Sequence, residues 1–416
     1  MSSWQRRSIL RLERSPSGSV QRHARPAVAS ISTTGNDVSV PIVMGLNGAR
    51  GFGHDAGAAL VVDGRLQAAV EEERLARVKR AYGLPPVRAM REVLDLSGLR
   101  LADVDVVAYP WLPQAMGVDP DDIERQIRSW FAEANLSPRR DLLVRFIAHH
   151  VAHAWAGMAF VPGGLRDRRI GVVVLDGSGE STSGACYMYG PQLRQVWSLS
   201  QDSSPGIYFE AVSQYLGFSW GQEGKTMALA SYARHPGAPV PSLPDHRTYD
   251  ASPAGPYHGE SPHQIHQTLR WRLIEDLAAL NRDRLSFERR ADVAQAGQQV
   301  IGRRIVRYAS ELLDDIDVLV LSGGVALNCA INSEVASICR RNEVEFVVPP
   351  PASDTGVAIG SALAPHRRRC LSRRRVIRSW DAALSPPRWA LSCTTKARLL
   401  RSSARPSSPA ISPSNP

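Results

Sequence analysis

The sequence predicts an α/β protein made of two similar halves that face each other across a cleft. Three observations lead there. A β-branched strand running into a glycine turn occurs twice, at Ile42–Asn47 and again from Arg169. Each is followed by a hairpin pattern, and each half then supplies helical segments and a further buried strand. The 416 residues, 43% of them hydrophobic, suffice for a large core and suit two lobes better than one.

Taken in order, "IVMGLN" (42–47) leads into the glycine-rich "GARGFGHDAGAALVV". Asp63-Gly64 predicts a tight hairpin turn between "AALVV" and "RLQAAV". A helix is predicted over Pro86–Leu96, with proline at its start and Val87, Met90, Val93 and Leu94 on one face. "VDVVAYP" (104–110) reads as the next buried strand. In the second half, "RIGVVVLDGSGE" is a strand ending in a glycine turn. "SGACYMYGPQLRQVWSL" is a hairpin through Gly190-Pro191, and "IDVLVLSGG" (316–324) is a buried strand ending in glycines. Residues 236–290 interrupt this half. Their Pro-rich string "HPGAPVPSLPDHRTYDASPAGPYHGESPH" reads as a solvated loop, with substrate selection as the functional alternative.

The net charge of +10 resembles a nucleic-acid signal, but its distribution argues otherwise. From His366 to Pro416 there are twelve Lys and Arg against one acid, Asp381. The first forty residues hold six Arg against Glu13 and Asp37. The body between is mildly acidic, so no nucleic-acid partner is expected. Residues 1–40, rich in Arg and Ser, are expected to be a disordered extension. Residues 366–416 are expected to be a disordered basic tail, of the kind a shifted reading frame produces. The lobes are expected over about 41–165 and 166–365. No run of about 18 apolar residues occurs, so no membrane span is expected. The five cysteines show no CxxC spacing and suit reduced thiols in a cytoplasmic protein.

The chemistry-bearing motif is "FIAHHVAHAWAGMAF". His149 and His153 are four apart, which on a helix puts both rings on one face, as in metal-binding H-x-x-x-H pairs. A core or cap histidine pair is the plainer alternative. "PPPASDTGVAIGSAL" places Asp354 in a loop opening a helix of small residues, where it is a third ligand or an ordinary N-cap. "LDGSGES" and "LSGGVALN" both follow buried strands, and their backbone amides suit a phosphate cradle. Within them, Asp176 suits a metal, a ribose or a nucleophile, and Asn328 a ribose or phosphate. "GHDAG" puts His54 in the first glycine turn as a candidate general base. "EEERLARVKR" reads as a solvated face of ion pairs, or as Arg74, Arg77 and Lys79 reaching an anion. "GQEGKTMALASYA" places Glu223 and Lys225 in a loop, with Lys225 toward a phosphate.

In order along 41–363, "GHDAGAAL", "EEERLARVK", "HHVAHAWAGMAF", "LDGSGE", "GQEGKTMALASYA", "LSGGVALNCAIN" and "ASDTGVAIGSAL" together resemble the carbamoyltransferase family of antibiotic and nodulation-factor biosynthesis. Its first domain is similar to the protein that attaches threonylcarbamoyl to tRNA, within the actin/hexokinase-like superfamily. The resemblance implies a duplicated two-lobe fold. It implies a divalent metal, iron(II), on His149, His153 and Asp354, with His54 beside the acceptor hydroxyl. Asp176, Gly177, Gly323, Gly324 and Asn328, with Glu223 and Lys225, fall on nucleotide-contacting motifs. The implied reaction has two stages: ATP and carbamoyl phosphate give carbamoyladenylate, and the carbamoyl group then moves to a hydroxyl of a sugar, aminoglycoside or other natural product. The first stage belongs to a second domain in the family. Here the likeness stops at about Leu363, so that stage is expected to need a separate carbamoyladenylate-forming domain. "ASYA" also replaces the family's proline-glycine ending. The alternatives are an inactive binding or regulatory module, a sugar kinase of the same superfamily, and tRNA threonylcarbamoyl transfer.

Overall fold

The computed structural model describes residues 40–367 except 52, 191–192, 236, 250–258 and 282–285. The extension expected over 1–40 and the tail expected over 366–416 therefore lie, but for residues 40, 366 and 367, outside the described residues. Part of the Gly190-Pro191 turn lies outside them too.

The first sheet contains β1 (Val43–Asn47), β2 (Gly57–Val62), β3 (Arg65–Glu71), β4 (Val106–Tyr109) and β5 (Leu143–Phe146), in the order β3-β2-β1-β4-β5. β1, β2 and β3 form an antiparallel meander, and β4 and β5 run parallel to β1. The turn from β2 to β3 is the predicted one. Asp63 and Gly64 both have positive φ (52° and 71°), as a two-residue hairpin with the strands' own twist demands. The helices of this half are α1 (Glu72–Ala76), α2 (Val87–Ser97), α3 (Pro120–Glu133) and α4 (His149–Ala159). α2 buries Ala89, Met90, Val93 and Leu94 against one face of the sheet. Burying each of the three larger side chains contributes roughly 1.5–3 kcal/mol.

The second sheet repeats the pattern. β6 (Ile170–Leu175), β7 (Thr182–Tyr189) and β8 (Leu193–Ser200) form an antiparallel meander. Next come α5 (Pro205–Tyr215), α6 (Glu223–Ala230), β9 (Arg247–Thr248), α7 (Pro262–Leu280) and α8 (Phe287–Ser310). β10 (Val318–Ser322), α9 (Cys329–Arg341), β11 (Glu345–Val347) and α10 (Val357–Leu363) complete the half. β10 and β11 run parallel to β6, so the order β11-β10-β6-β7-β8 duplicates that of the first sheet, with β9 added at the edge. This duplicated α/β topology is the actin/hexokinase-like fold. None of the described helices is long and apolar enough to cross a membrane.

α4 and α10 occupy equivalent places, each following the last strand of its half, and they cross over. α4 packs Ala154, Trp155 and Met158 against Val172, Val174, Val318 and Val320 of the second sheet. α10 packs Ala358, Ile359 and Ala362 against Val43, Ala59, Val61 and Ala108 of the first. The two helices also pack on each other, so closely that a Cβ at Gly360 would lie 1.7 Å from the Ala152 carbonyl oxygen.

Two local expectations are corrected. The interruption at 236–290 is not loop throughout. Ser261 caps α7 in a reciprocal capping box with Gln264, and Pro262 takes the first helical position. That signal was in the sequence beneath the surrounding prolines. "EEERLARVKR" is not wholly solvated either: Glu72 is buried and accepts the backbone N–H of Ala89 at 2.8 Å. Arg74 does pair with Glu71 and Glu73 in the expected manner. Among the described cysteines Cys186, Cys329 and Cys339 are free thiols.

Candidate metal centre

α4 starts at His149, and its own N-cap, Ala148, offers no side-chain acceptor. The second half provides one instead. The buried Glu180 Oε1 accepts the backbone N–H of His149 at 2.9 Å and that of Leu112 at 3.0 Å, tying the helix start to the loop after β4. Trp111 stacks on the His149 ring at 3.9 Å and 19°. Nδ1 of His149 faces the Pro110 carbonyl at 3.3 Å. A proton on Nδ1 leaves the lone pair on Nε2 and points it inward, the arrangement usual in metal-ligating histidines. His153 follows one turn later with its Nε2 aimed at the same point.

Two carboxylates complete the group. Asp176 directly follows β6, and Asp354 opens the turn that leads into α10. Nε2 of His153 lies 3.1 Å from Nε2 of His149, 3.1 Å from Asp176 Oδ2 and 3.2 Å from Asp354 Oδ1. Nε2 of His149 lies 3.2 Å from Asp176 Oδ2 and 3.4 Å from Asp354 Oδ1. Ligand atoms about 2.0–2.1 Å from one ion, at tetrahedral angles, stand about 3.3 Å apart. The donor set is two imidazole nitrogens and two carboxylate oxygens, all within 4.8 Å of one another, and it fits a divalent ion. Asp176 is thus a fourth member beside the three residues that the spacing and the resemblance single out. Nδ1 of His153 is buried without a hydrogen-bond partner among the described residues.

The electrostatics agree. Burial works against charge on His149, yet Asp354 and Asp176 outweigh it and hold its pKa well above the ordinary 6.5. His153 is raised by the same carboxylates against the same burial. Burial opposes ionisation of Asp176 and Asp354 too, but the two imidazoles keep both below the ordinary carboxylate range. His150 is different: burial and its two histidine neighbours push it down to about 3, so it stays neutral and bonds Thr182 Oγ1 through Nδ1 at 3.0 Å.

The glycine turns serve this group in an unforeseen way. Asp176 Oδ1 accepts the amides of Gly177 (2.9 Å) and Gly324 (3.2 Å), which leaves only Oδ2 toward the imidazoles. The amide of Gly323 goes to the Ala352 carbonyl, and that of Gly179 to Thr182. Four of the amides expected to cradle phosphate are therefore engaged within the protein. At Gly323, φ is +92° and an added Cβ would fall 2.2 Å from the Leu175 carbonyl oxygen, so the turn requires glycine. Asn328 caps α9 through the Ile331 N–H and exchanges two hydrogen bonds with Gln298. Its side-chain hydrogen bonds thus go to Gln298 and Ile331 rather than to the histidine–aspartate group.

His54 does reach the group. Its Nδ1 lies 3.0 Å from Asp55 Oδ2 and 3.9 Å from Asp354 Oδ2. Burial lowers its pKa, but Asp55 and Asp354 outweigh that, and the net shift is upward. Arg80 holds Asp55 through Nη2 at 3.0 Å and Nε at 3.4 Å. Asn47 Nδ2 binds the backbone carbonyls of His54, Asp55 and Asp354, fastening the first glycine turn to the metal-side loop. Glu223 and Lys225 start α6 rather than lying in a loop. Glu223 accepts from the Gly221 amide, while the exposed Lys225 donates to Gln222 Oε1. The sequence reading missed Asn47, Asp55, Trp111 and Glu180 as parts of the site. Only the adjacency of Asp55 to His54 offered a signal for any of them.

Residues 44–116 and 133–363 match the family described as Carbamoyltransferase N-terminus, and the chain belongs to that family. It is 31% identical over 340 residues to nodulation protein NolNO of Sinorhizobium fredii, covering 75% of this chain and 46% of that protein. It is 25% identical over 226 residues to nodulation protein NolO of Bradyrhizobium diazoefficiens, covering 52% and 37% respectively. The chain thus spans about half or less of the length of these relatives. Among solved structures it is similar to full-length HypF in a phosphate- and nucleotide-bound form, with a TM-score of 0.48, 13% identity, and 79% of this chain and 56% of that one covered.

Proposed function

We propose that the chain carries out the transfer step of an O-carbamoyltransferase, moving a carbamoyl group from carbamoyladenylate to an acceptor hydroxyl. The observation that carries this reading is the convergence of His149, His153, Asp176 and Asp354 from three separate segments onto one point, in a chain of the carbamoyltransferase family. Those four residues would hold a divalent ion, iron(II) in this reading. When bound, it supplies Lewis-acid polarisation of the mixed anhydride.

The chain's own residues supply the rest. His54 is partly exposed at the edge of the group, with Nδ1 engaged by Asp55, so Nε2 is the ring nitrogen available to an acceptor hydroxyl. The acceptor oxygen forms the new C–O bond to the carbamoyl carbon, its proton passes to His54 Nε2, and adenylate leaves with the electrons of the cleaved anhydride bond. Asp55 and Arg80 fix the orientation of the imidazole. Nucleotide contact at the turns of Gly177 and Gly323–Gly324 would use groups other than these three amides, which are engaged within the protein.

The test is direct. Metal-loaded chain is incubated with carbamoyladenylate and a panel of polyhydroxylated acceptors, and products are read by mass spectrometry. Carbamoylated product that depends on His54 supports the reading. Protein that carries its metal yet yields no carbamoylated product from any acceptor sinks it.

A further inference from the structure

The construction around His54 recurs in the second half. In the first half Arg80 clamps Asp55, and Asp55 engages Nδ1 of His54. In the second, Arg270 Nη1 donates to Glu210 Oε1 at 3.2 Å, and Glu210 Oε2 lies 2.8 Å from Nε2 of His266. Glu210 is buried. Burial opposes its ionisation, but His266 and Arg270 keep its pKa below the ordinary value. His266 and Arg270 stand four apart on α7, so both reach Glu210 from one helix face. α5, which carries Glu210, begins beside the Gly177 turn: Oγ of its cap, Ser204, lies 3.0 Å from the Asp176 carbonyl oxygen and 2.8 Å from that of Gly177. His266 closes on the same turn, where a Cβ at Gly177 would lie 3.5 Å from its Cε1. The His266 side chain is 17% exposed, and its Nδ1 has no hydrogen-bond partner among the described residues.

We propose that His266 is a phosphate ligand, binding through Nδ1 the phosphate of the adenylate at the Gly177 turn. This rests on the transfer reading above, which supplies the adenylate. The amides of Gly177 and Gly324 go to Asp176 and that of Gly323 to Ala352, so a phosphate here needs donors from side chains. His266 is packed on Gly177 and has a ring nitrogen to offer. Glu210 engages Nε2, which fixes the ring and leaves Nδ1 for the ligand. Between a carboxylate and a phosphate, the imidazole carries a proton on each nitrogen and donates to both. As the bond from the carbamoyl carbon to the phosphate oxygen breaks, its electron pair goes to that oxygen, and His266 meets the charge that develops there. The two histidines thus divide the reaction between the halves: His54 faces the acceptor hydroxyl and His266 the leaving phosphate. The assignment also gives α7, within the interruption at 236–290, a place in the site.

The experiment measures binding without any carbamoyl donor, by calorimetry on the metal-loaded full chain, with AMP and adenosine as probes. Two substitutions separate the ring nitrogens. The amide nitrogen of glutamine stands near the place of Nε2, so His266→Gln keeps the bond to Glu210 and loses Nδ1. That of asparagine stands near the place of Nδ1, so His266→Asn keeps the ligand side and loses Glu210. H266Q is expected to weaken AMP binding about tenfold or more, and H266N only about threefold. Adenosine affinity is expected to stay within about twofold in both, and metal content serves as the folding control. In zinc-loaded wild-type chain with 15N-labelled histidine, AMP but not adenosine is expected to move the Nδ1 resonance of His266, a readout that needs no folded variant. Unchanged AMP binding in H266Q, equal losses for AMP and adenosine, a greater loss in H266N than in H266Q, or an unmoved Nδ1 resonance would each overturn the assignment. The two readings fail separately. AMP bound through His266 in a chain that transfers no carbamoyl group keeps the ligand and removes the enzyme, while carbamoyl transfer with AMP affinity unchanged in H266Q does the reverse.

Discussion

Nε2 of His153 lies 3.2 Å from Oδ1 of Asp354, a residue 201 positions further along the chain. The approach is made possible by the crossing of α4 with α10, and it is specific to these side chains because His149 and Asp176 close on the same point. The protein purified without chelator is expected to carry about one divalent ion per chain. The H149A/H153A double variant is expected to carry none, and D176A to bind more than about 100-fold more weakly. Metal analysis on anaerobically prepared protein checks this. A full complement of metal in the double variant would remove the assignment.

The same four groups set a pH dependence. Both imidazoles stand above their ordinary 6.5, and both carboxylates below their ordinary 3.8. In metal-free protein, the stability from the raised imidazoles is fully present below 6.5 and is lost as pH rises through their folded pKa values. The stability from the lowered carboxylates is present above 3.8 and is lost as pH falls through their folded values. Metal-free protein is therefore expected to show a higher urea midpoint at about pH 5 than at about pH 9. Because an ion must displace the imidazole protons, metal affinity is expected to rise over the same span. A metal-free midpoint higher at the alkaline end would contradict the electrostatic picture.

Gly360→Ala tests the helix crossing. Alanine is worth about 1 kcal/mol more than glycine within a helix. Here its Cβ would meet the Ala152 carbonyl oxygen at 1.7 Å, and backbone cannot yield as a flexible side chain can. The clash is expected to win, with a net loss of about 3 kcal/mol in urea unfolding and a parallel drop in metal affinity. A neutral or stabilising result would show that the helices separate without harm.

Glu180→Ala removes the shared acceptor of His149 N–H and Leu112 N–H. One buried and one partly buried donor lose their partner, so a loss of about 2–5 kcal/mol is expected. E180Q keeps one carbonyl oxygen and is expected to lose about 1 kcal/mol. Equilibrium urea curves for the two variants decide the matter: equal effects would mean that the carboxylate does not act through these bonds.

His54→Ala is expected to lower the transfer rate about 10²- to 10⁴-fold while metal content stays at the wild-type level. Single-turnover assays with carbamoyladenylate separate this from a binding defect. Full activity in H54A would move the proton acceptor elsewhere.

The repeating frame was legible from local pattern. Asp63-Gly64 specified its hairpin, the apolar face of 87–94 specified α2, and the strands at 42–47 and 170–175 stood out by their β-branched runs. α7 was obscured because the prolines before it dominated the window, although Ser261, Pro262 and Gln264 marked its start. Within the site, spacing gave His149 and His153, but nothing in a linear string shows which Asp176 oxygen two glycine amides immobilise. Glu180 capping a helix from another segment was equally hidden, since a long-range acceptor has no fixed offset. The engaged amides of Gly177, Gly179, Gly323 and Gly324 show the limit of a glycine-turn motif: it locates a bend, and tertiary packing decides where the N–H groups go.

The unequal connections within the duplicated frame bear on how relatives of this chain can vary in length. From β3 to β4 the chain needs only residues 72–105, whereas from β8 to β10 it runs through 201–317, carrying α5 to α8 and the edge strand β9. Growth in that second stretch lengthens a detour that leaves and rejoins one sheet. Residues added inside 149–159 or 354–363 would instead rotate a helix and turn its ligand away from the shared point. Insertions and deletions among homologues should therefore gather in the former and spare the latter.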